Sequence, residues 1–443
     1  MKLFFYFSTL LVFFVTHQLH AAEKPNVILI LCDDVGFECF GSYGSREYTT
    51  PRLDALAANG VRFENCHSTP LCTPSRVNLM SGKSNVFNYF DFGVYPEGQP
   101  TFANYFQEHG YQTAVAGKWQ LLTGKGGITP EQAGFDTHCL WNIPGGGRNR
   151  YWNPSLVQDG ELLDLPKESY GPDITTDFLI DFITKNQTNP FLVYFPMILP
   201  HNPFDVTPDS DDPQSTDSKK NFIDMVQYID KNVGRLEDTL TSLGLRKQTL
   251  ILFTSDNGTN AQLTSELDGQ TIQGGKGYTH DYGTHVPLIV NWPGQIQGGR
   301  VIHDLICFSD VFPTIVDAAK LPAKQINDGD GWRFWPQCEG KQGRTRDWRY
   351  CYYFPRPSSA KYNDKYSHYE VSFARNKRFK LYNNGDFFDT TTDVLEKEPL
   401  TATNPAAVPD SARTMLQEAI SSYPAAGLNA NRPKRKRTEK KKK

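Results

Sequence analysis

The residues from Val27 to Cys32 are apolar without interruption, and the run breaks off at the acidic pair Asp33-Asp34. A continuous β-branched stretch of that length predicts a strand buried on both faces, as in a parallel sheet. Residues 248–254 repeat the pattern ahead of Asp256-Asn257, and residues 190–195 form a third such run. Between these runs the spacing becomes helical. Residues 50–59 predict a helix with Thr50 as N-cap, Pro51 at its first position, Leu53, Leu56 and Ala57 on one face, and Gly60 as its stop. Residues 101–109, ended by Gly110, predict another that leads into a strand at 113–116, and residues 222–243 predict a long helix feeding the strand at 248–254. Strands alternating with helices imply an α/β fold with a large mixed, mostly parallel sheet flanked by helices.

Beyond residue 340 the texture changes. Short strands are predicted at 350–354, 371–374, 379–382 and 386–389, followed by a helix at 411–421. The expectation is a main domain over residues 23–340 and a C-terminal α+β subdomain over 341–428, a small antiparallel sheet plus a helix. No internal repeat is visible.

The 443 residues, 38% hydrophobic and 13% aromatic, suit a folded globular enzyme. The net charge of −3 hides an asymmetry: residues 432–443 carry nine Lys/Arg against Glu439, so the rest of the chain holds −11, the difference between −3 and +8. An acidic body argues against nucleic acid as partner. The basic tail over 429–443 lacks apolar periodicity and is expected to be disordered; it could hold the protein on a polyanionic polymer. At the other end, Lys2 and an apolar run from Leu3 to Val15 precede Ala21-Ala22. This reads as a signal peptide over residues 1–22, too short to span a membrane stably, so the mature protein is expected to be exported to the periplasm, cell envelope or exterior. Export permits disulfides among the eight cysteines, but no C-x-x-C spacing suggests zinc. If Cys72 is set aside, seven remain, so at least one other thiol is free or pairs between chains.

Two acidic pairs ending buried strands would meet outside the carboxyl ends of a parallel sheet, where ligand sites of open α/β folds form. Asp33, Asp34, Asp256 and Asn257 together make a hard oxygen cage suited to Ca²⁺ or Mg²⁺. Each pair alone could merely cap a turn. A further element follows Cys72: in Cys72-Thr73-Pro74-Ser75-Arg76, Pro74 and Ser75 suit a first helical turn, Leu79 and Met80 a buried face, and Gly82 an end. Cys72 would then sit at a helix N-terminus, where backbone N–H groups favour an anion.

The C-x-P-x-R segment resembles the signature of the type I sulfatases, the formylglycine-dependent, arylsulfatase-like members of the alkaline phosphatase superfamily. The resemblance runs from Asn26 to about Leu400 and includes Gly117-Lys118-Trp119, Pro200-His201-Asn202-Pro203, Ser255-Asp256-Asn257-Gly258, Gly274-Gly275-Lys276-Gly277, Val286-Pro287-Leu288 and Asp310-Val311-Phe312-Pro313-Thr314. It implies that a formylglycine-generating enzyme oxidises Cys72 to formylglycine, whose hydrate attacks the sulfur of a sulfate ester. It further implies Ca²⁺ on Asp33, Asp34, Asp256 and Asn257, Arg76 holding the formylglycine side chain, Lys118 and Lys276 gripping sulfate, and His201 contacting substrate and protonating the leaving alcohol. A sulfated carbohydrate is the substrate class implied.

The sequence departs from the family pattern after Lys118, where Gln120 stands in place of a usual histidine. Glutamine can hydrogen-bond a hydroxyl but cannot act as a base there. His280 and His285 are candidates for the missing base, with Gln120 and His285 counted as substrate-binding. Two rival readings remain: hydrolysis of phosphate or phosphonate monoesters by the same nucleophile, and a catalytically impaired protein that binds sulfated glycans. Trp141, Arg148, Arg150, Tyr151 and Trp152 in the 121–153 loop, together with the 205–220 loop, could line a sugar site or simply pack.

Overall fold

The computed structural model describes residues 24–124, 126–322, 329–354, 366, 370–400 and 410–425. The expected signal peptide and basic tail lie outside these residues. The main-sheet strands are, in chain order, β1 (Asn26–Cys32), β2 (Val61–His67), β3 (Gln112–Lys118), β4 (Thr137–Trp141), β5 (Phe191–Pro196), β6 (Thr249–Ser255), β7 (His285–Asn291) and β8 (Arg300–Cys307). Two short strands, Val157–Gln158 and Glu161–Leu162, complete a ten-stranded sheet of order β8-β2-β7-β6-β1-β5-β3-β4 and then that pair. Its centre, β6-β1-β5-β3-β4, is parallel throughout. On the far side of β6, β7 is antiparallel to both β6 and β2.

The unbroken apolar run of β1 is explained by its position, because alternate side chains enter different cores. Val27, Leu29 and Leu31 join one hydrophobic cluster, while Ile28, Ile30 and Cys32 join the other. Helices cover both faces, among them α1 (Pro51–Ala58), α2 (Cys72–Ser81), α3 (Gly171–Lys185) and α4 (Ser218–Ser242). The predicted helix at 101–109 forms over Phe102–Glu108. Its N-terminus is satisfied by a capping box: Thr101 accepts from the backbone of Ala103 and Asn104, while the Asn104 side chain accepts from Thr101 N. Thr50 does not cap α1 by the expected hydrogen bond; its hydroxyl accepts from Gly41 N and donates to Asp54 instead.

The C-terminal sheet is antiparallel, with β9 (Arg349–Tyr353), β10 (Val371–Arg375), β11 (Phe379–Tyr382) and β12 (Phe387–Asp389) in sequence order. Leu416 and Ala419 of α5 (Asp410–Ser421) pack on Leu381 and Phe387. All eight cysteines are free thiols, so none of the disulfides that export would permit is formed. No helix among the described residues is long and apolar enough to cross a membrane.

Candidate active site at the carboxyl ends of the parallel strands

The register of β1 and β6 places Cys32 opposite Ser255, so the two acidic pairs leave the sheet side by side. Asp256 N continues the ladder to Cys32 O at 3.0 Å, and Asp34 N donates to Asp256 Oδ1 at 3.1 Å. Asp34 has a φ of 72°, a left-handed conformation that aspartate tolerates better than most residues. Asp33, Asp34, Asp256 and Asn257 are all buried.

The neighbouring parallel strands bring the next groups. Lys118 ends β3, where its Nζ lies 2.8 and 2.7 Å from the two oxygens of Asp33. Gly117 has to precede it: with a φ of 118°, a Cβ there would sit 2.0 Å from Pro196 O on β5. The chain leaving β5 turns through Leu199-Pro200-His201-Asn202-Pro203, and Leu199 O accepts from Asp33 N at 3.0 Å. This brings His201 Nε2 to 3.5 Å from Asp34 Oδ2 and 3.2 Å from Lys276 Nζ.

Cys72 occupies the first turn of α2, and Arg76, four residues on, lies on the same helix face. Every residue of α2 is buried, so its polar groups must find protein partners. Arg76 donates to Asp256 Oδ2 from Nε at 3.2 Å and Nη2 at 2.9 Å, and to Lys118 O from Nη1 at 2.9 Å. These bonds fasten the helix bearing Cys72 to two strand ends.

Lys276 ion-pairs with Asp34. Its backbone is anchored through Lys276 N to Thr259 O at 2.9 Å, and Gly277 N donates to Pro70 O at 2.8 Å, two residues before Cys72. The C-terminal sheet buttresses the same segment, since Tyr353 donates to Gly277 O and Lys380 to Thr279 O. These supports join residues distant in sequence, and no local pattern could have revealed them.

Three carboxylates and three cations thus share one buried volume. Burial alone would raise Asp33, but Lys118, His201 and Arg76 prevail and hold it well below the usual carboxylate range. Asp34 is likewise lowered despite burial, chiefly by Lys276. Burial and the charge of Asp33 push Asp256 up to about 7, against Arg76 and Lys118. Asp34 holds Lys276 above the ordinary lysine value despite its burial. Burial lowers His201 to about 4, against the pull of Asp34, so its imidazole is neutral near pH 7.

The donor set fits a hard divalent cation. Ligand atoms of Asp33, Cys72 and Asp256, and of Asp33, Asp34 and His201, lie within 4.8 Å of one another. Asn257 donates from Nδ2 to Asp34 Oδ1 at 2.9 Å, while its buried Oδ1 has no hydrogen-bond partner among the described residues. A buried carbonyl oxygen beside three carboxylates is the ligand chemistry of Ca²⁺ or Mg²⁺.

Two expected substrate contacts are not joined to this cluster by any hydrogen bond. The side-chain oxygen of Gln120, just past Lys118, is buried without a partner among the described residues. His285 faces Asp281 Oδ2 at 3.0 Å and Glu64 O at 2.7 Å and stacks on Phe37, so both its nitrogens serve the packing around the start of β7.

Comparison with known proteins agrees with this geometry. The chain matches the Sulfatase family over residues 25–321 and the family described as N-sulphoglucosamine sulphohydrolase, C-terminal, over residues 275–421. It is 33% identical to arylsulfatase A of Bos taurus over 341 residues, covering 69% of this chain and 66% of that protein. It is 28% identical to N-acetylgalactosamine-6-sulfatase of Homo sapiens over 368 residues, covering 75% and 69%. The chain thus spans about two thirds of the length of these relatives. The fold is shared with the solved structure of Ps i-CgsB in complex with k-i-k-neocarrahexaose, at a TM-score of 0.75, 24% identity and coverage of 90% of this chain and 93% of that one. It is also shared with the phosphonate monoester hydrolase of Agrobacterium radiobacter, at a TM-score of 0.66, 20% identity and coverage of 90% and 95%. With the Sulfatase match running from β1 past the Lys276 segment, the chain belongs to the sulfatase family.

Proposed function

We propose that this protein hydrolyses sulfate esters of sulfated carbohydrates, with position 72, oxidised from cysteine to formylglycine, as the nucleophile. The observation that carries this reading is the convergence of α2, bearing Cys72 and Arg76, on the strand ends that hold Asp33, Asp34, Asp256, Lys118 and His201. The carbohydrate is inferred from relatives such as N-acetylgalactosamine-6-sulfatase. Maturation would involve export, signal cleavage near Ala21-Ala22 and a formylglycine-generating enzyme.

Asp33, Asp34, Asp256 and Asn257 would hold Ca²⁺, which when bound would withdraw charge from a sulfate oxygen and polarise the nucleophile. Lys118 and Lys276, which pair with Asp33 and Asp34, would bind the sulfate oxygens. Arg76 keeps the nucleophile-bearing helix against the strand ends. His201 would give its proton to the departing alcohol oxygen; a bound sulfate ester adds negative charge beside it and opposes the lowering by burial. The oxygen through which position 72 attacked would then leave with the sulfate as its carbon–oxygen bond breaks, the second hydroxyl losing its proton to return the aldehyde, which water rehydrates; ester and water thus become alcohol and hydrogen sulfate.

Peptide mass spectrometry across Cys72, after expression with a formylglycine-generating enzyme, should find a loss of about 18 Da. The modified protein should release sulfate from an aryl sulfate faster than phosphate or phosphonate from the matching esters. The reverse preference would support the phosphonate-type reading, for which the Agrobacterium radiobacter fold likeness is a precedent. Glycan retention with no sulfate release and an unmodified Cys72 would support the binding-protein reading.

A further inference from the structure

Next to His201 lies a cation that the reaction described above does not use. Arg150 places its guanidinium 4.0 Å from the ring centroid of Trp141, the last residue of β4. Its Nη1 lies 2.7 Å from His201 Nδ1. The backbone around it is fixed: Tyr151 donates to the carbonyls of Ile198 and His201, and Trp152 Nε1 donates to Val206 O at 2.9 Å. The loop carrying Arg150 is therefore bolted to the turn carrying His201.

Charge balance sets Arg150 apart from the other cations here. Arg76, Lys118 and Lys276 are matched by Asp256, Asp33 and Asp34. Arg150 forms no ion pair with a carboxylate among the described residues, although it is half-buried against an indole face. A guanidinium held flat presents a rigid fork of N–H donors that matches a carboxylate or sulfate, and desolvation by Trp141 strengthens that attraction. His201 Nδ1 lies 2.6 Å from Asn202 O as well, so it takes an Arg150 N–H in the tautomer that carries its proton on Nε2, and in either tautomer a fork of five leaves donors for a ligand. The side of His201 from which Arg150 approaches is the side opposite Nε2, which faces Lys276 and Asp34. A group bound by Arg150 would therefore sit beyond the leaving-group oxygen, on the sugar rather than on the reacting sulfate.

We propose that Arg150, seated on Trp141, binds a second anionic group of the substrate, a carboxylate or a further sulfate, and so selects sugars that are anionic apart from the ester being cleaved. This inference rests on the sulfatase reading of the same site, and a binding measurement separates the two. Calorimetry with the Ca²⁺-loaded Cys72→Ala protein, which cannot turn substrate over, gives Kd for three ligands: a neutral hexose monosulfate, the same hexose with a second sulfate, and a sulfated disaccharide bearing a uronate. At least one doubly anionic ligand should bind more tightly than the monosulfate, and which one does so identifies the second anion. Adding Arg150→Gln should reduce that preference about 10- to 100-fold, the range for losing a charge-assisted hydrogen bond. Arg150→Lys should restore part of it. The proposal is overturned if neither doubly anionic ligand is preferred, or if Arg150→Gln weakens all three equally, which would leave Arg150 a positioning residue for His201. Failure of the cysteine-bearing, matured enzyme to release sulfate from any ester would instead overturn the hydrolase reading.

Discussion

The guanidinium of Arg76 donates from both Nε and Nη2 to a single oxygen of Asp256, at 3.2 and 2.9 Å, with both residues buried. The other Asp256 oxygen accepts from Asp34 N, so the pair connects the nucleophile-bearing helix to both acidic strand ends. Arg76→Ala leaves a buried carboxylate uncompensated and should cost about 3–5 kcal/mol in urea unfolding, together with sulfate release. Arg76→Lys keeps the charge but loses the fork, and should be milder in stability than in activity. A cost well under 1 kcal/mol for the alanine variant would mean that Asp256 is neutralised by protonation, which burial favours, or by another cation.

In the proposed reading Asp33, Asp34, Asp256 and Asn257 would offer oxygens to a divalent cation, and Asn257 Oδ1 is buried with no hydrogen-bond partner among the described residues. After chelation, Ca²⁺ at about a hundred times its Kd should stabilise the fold by about 2.7 kcal/mol, read as a thermal shift. Mg²⁺ should shift it less, because it keeps its waters and demands a regular octahedron. Asp256→Asn should abolish most of the Ca²⁺ shift. An identical shift in that variant would move the cation site elsewhere.

Gln120 has a φ of 57°, and its buried side-chain oxygen lacks a partner among the described residues. Histidine tolerates that backbone conformation better than most side chains. If sulfate expulsion waits for a base at this position, Gln120→His should raise kcat on an aryl sulfate and shrink any pre-steady-state burst, with KM little changed. An unchanged kcat would show that expulsion is not limited there.

His67, at the end of β2, is buried and held well below the ordinary imidazole value, first by burial and then by Arg375. Asp281 pulls the other way, while His285 and Arg349 add to the lowering. The folded state therefore keeps His67 neutral where the unfolded chain, near 6.5, takes up a proton. Its contribution to stability is complete above that pH and is lost as pH falls through it, with a slope approaching about 1.4 kcal/mol per pH unit. His201 and Asp256 also titrate in this range, so the difference in urea-unfolding stability between the wild type and His67→Gln, measured from pH 7.5 to 5, should show this slope.

The parts of the site that lie within one short stretch were legible in the sequence. The apolar run of β1 ending at Asp33-Asp34, its counterpart ending at Asp256-Asn257, and the helix from Cys72 to Gly82 need only local patterning and capping chemistry. Other elements were not legible for identifiable reasons. Strand β2 alternates apolar and polar only over Val61 to Glu64 before Asn65 breaks the pattern, and its register against β8 shifts between Ile302 and Leu305. Strand β7 contains Pro287, which argues against a central strand on sequence grounds, yet it pairs with β6 and β2, with its own register shift at that position. No element was predicted between 121 and 189, where β4 and α3 form.

By itself, then, the sequence determined which residue types end which strands, and that a cysteine begins a helix followed one turn later by an arginine. Those facts follow from local propensity, because side-chain period and capping depend on neighbours a few residues away. Only the tertiary structure decided that β1 and β6 run parallel in a register that sets Asp33 beside Asp256, and that Arg76 and the Lys276 segment close over them. It also sent His285 to Asp281 and Glu64 O, and brought Arg150 to His201 on the face of Trp141. Charge pairing acts over a few ångströms in space whatever the separation along the chain, so which cation meets which carboxylate is fixed by packing and cannot be read from spacing.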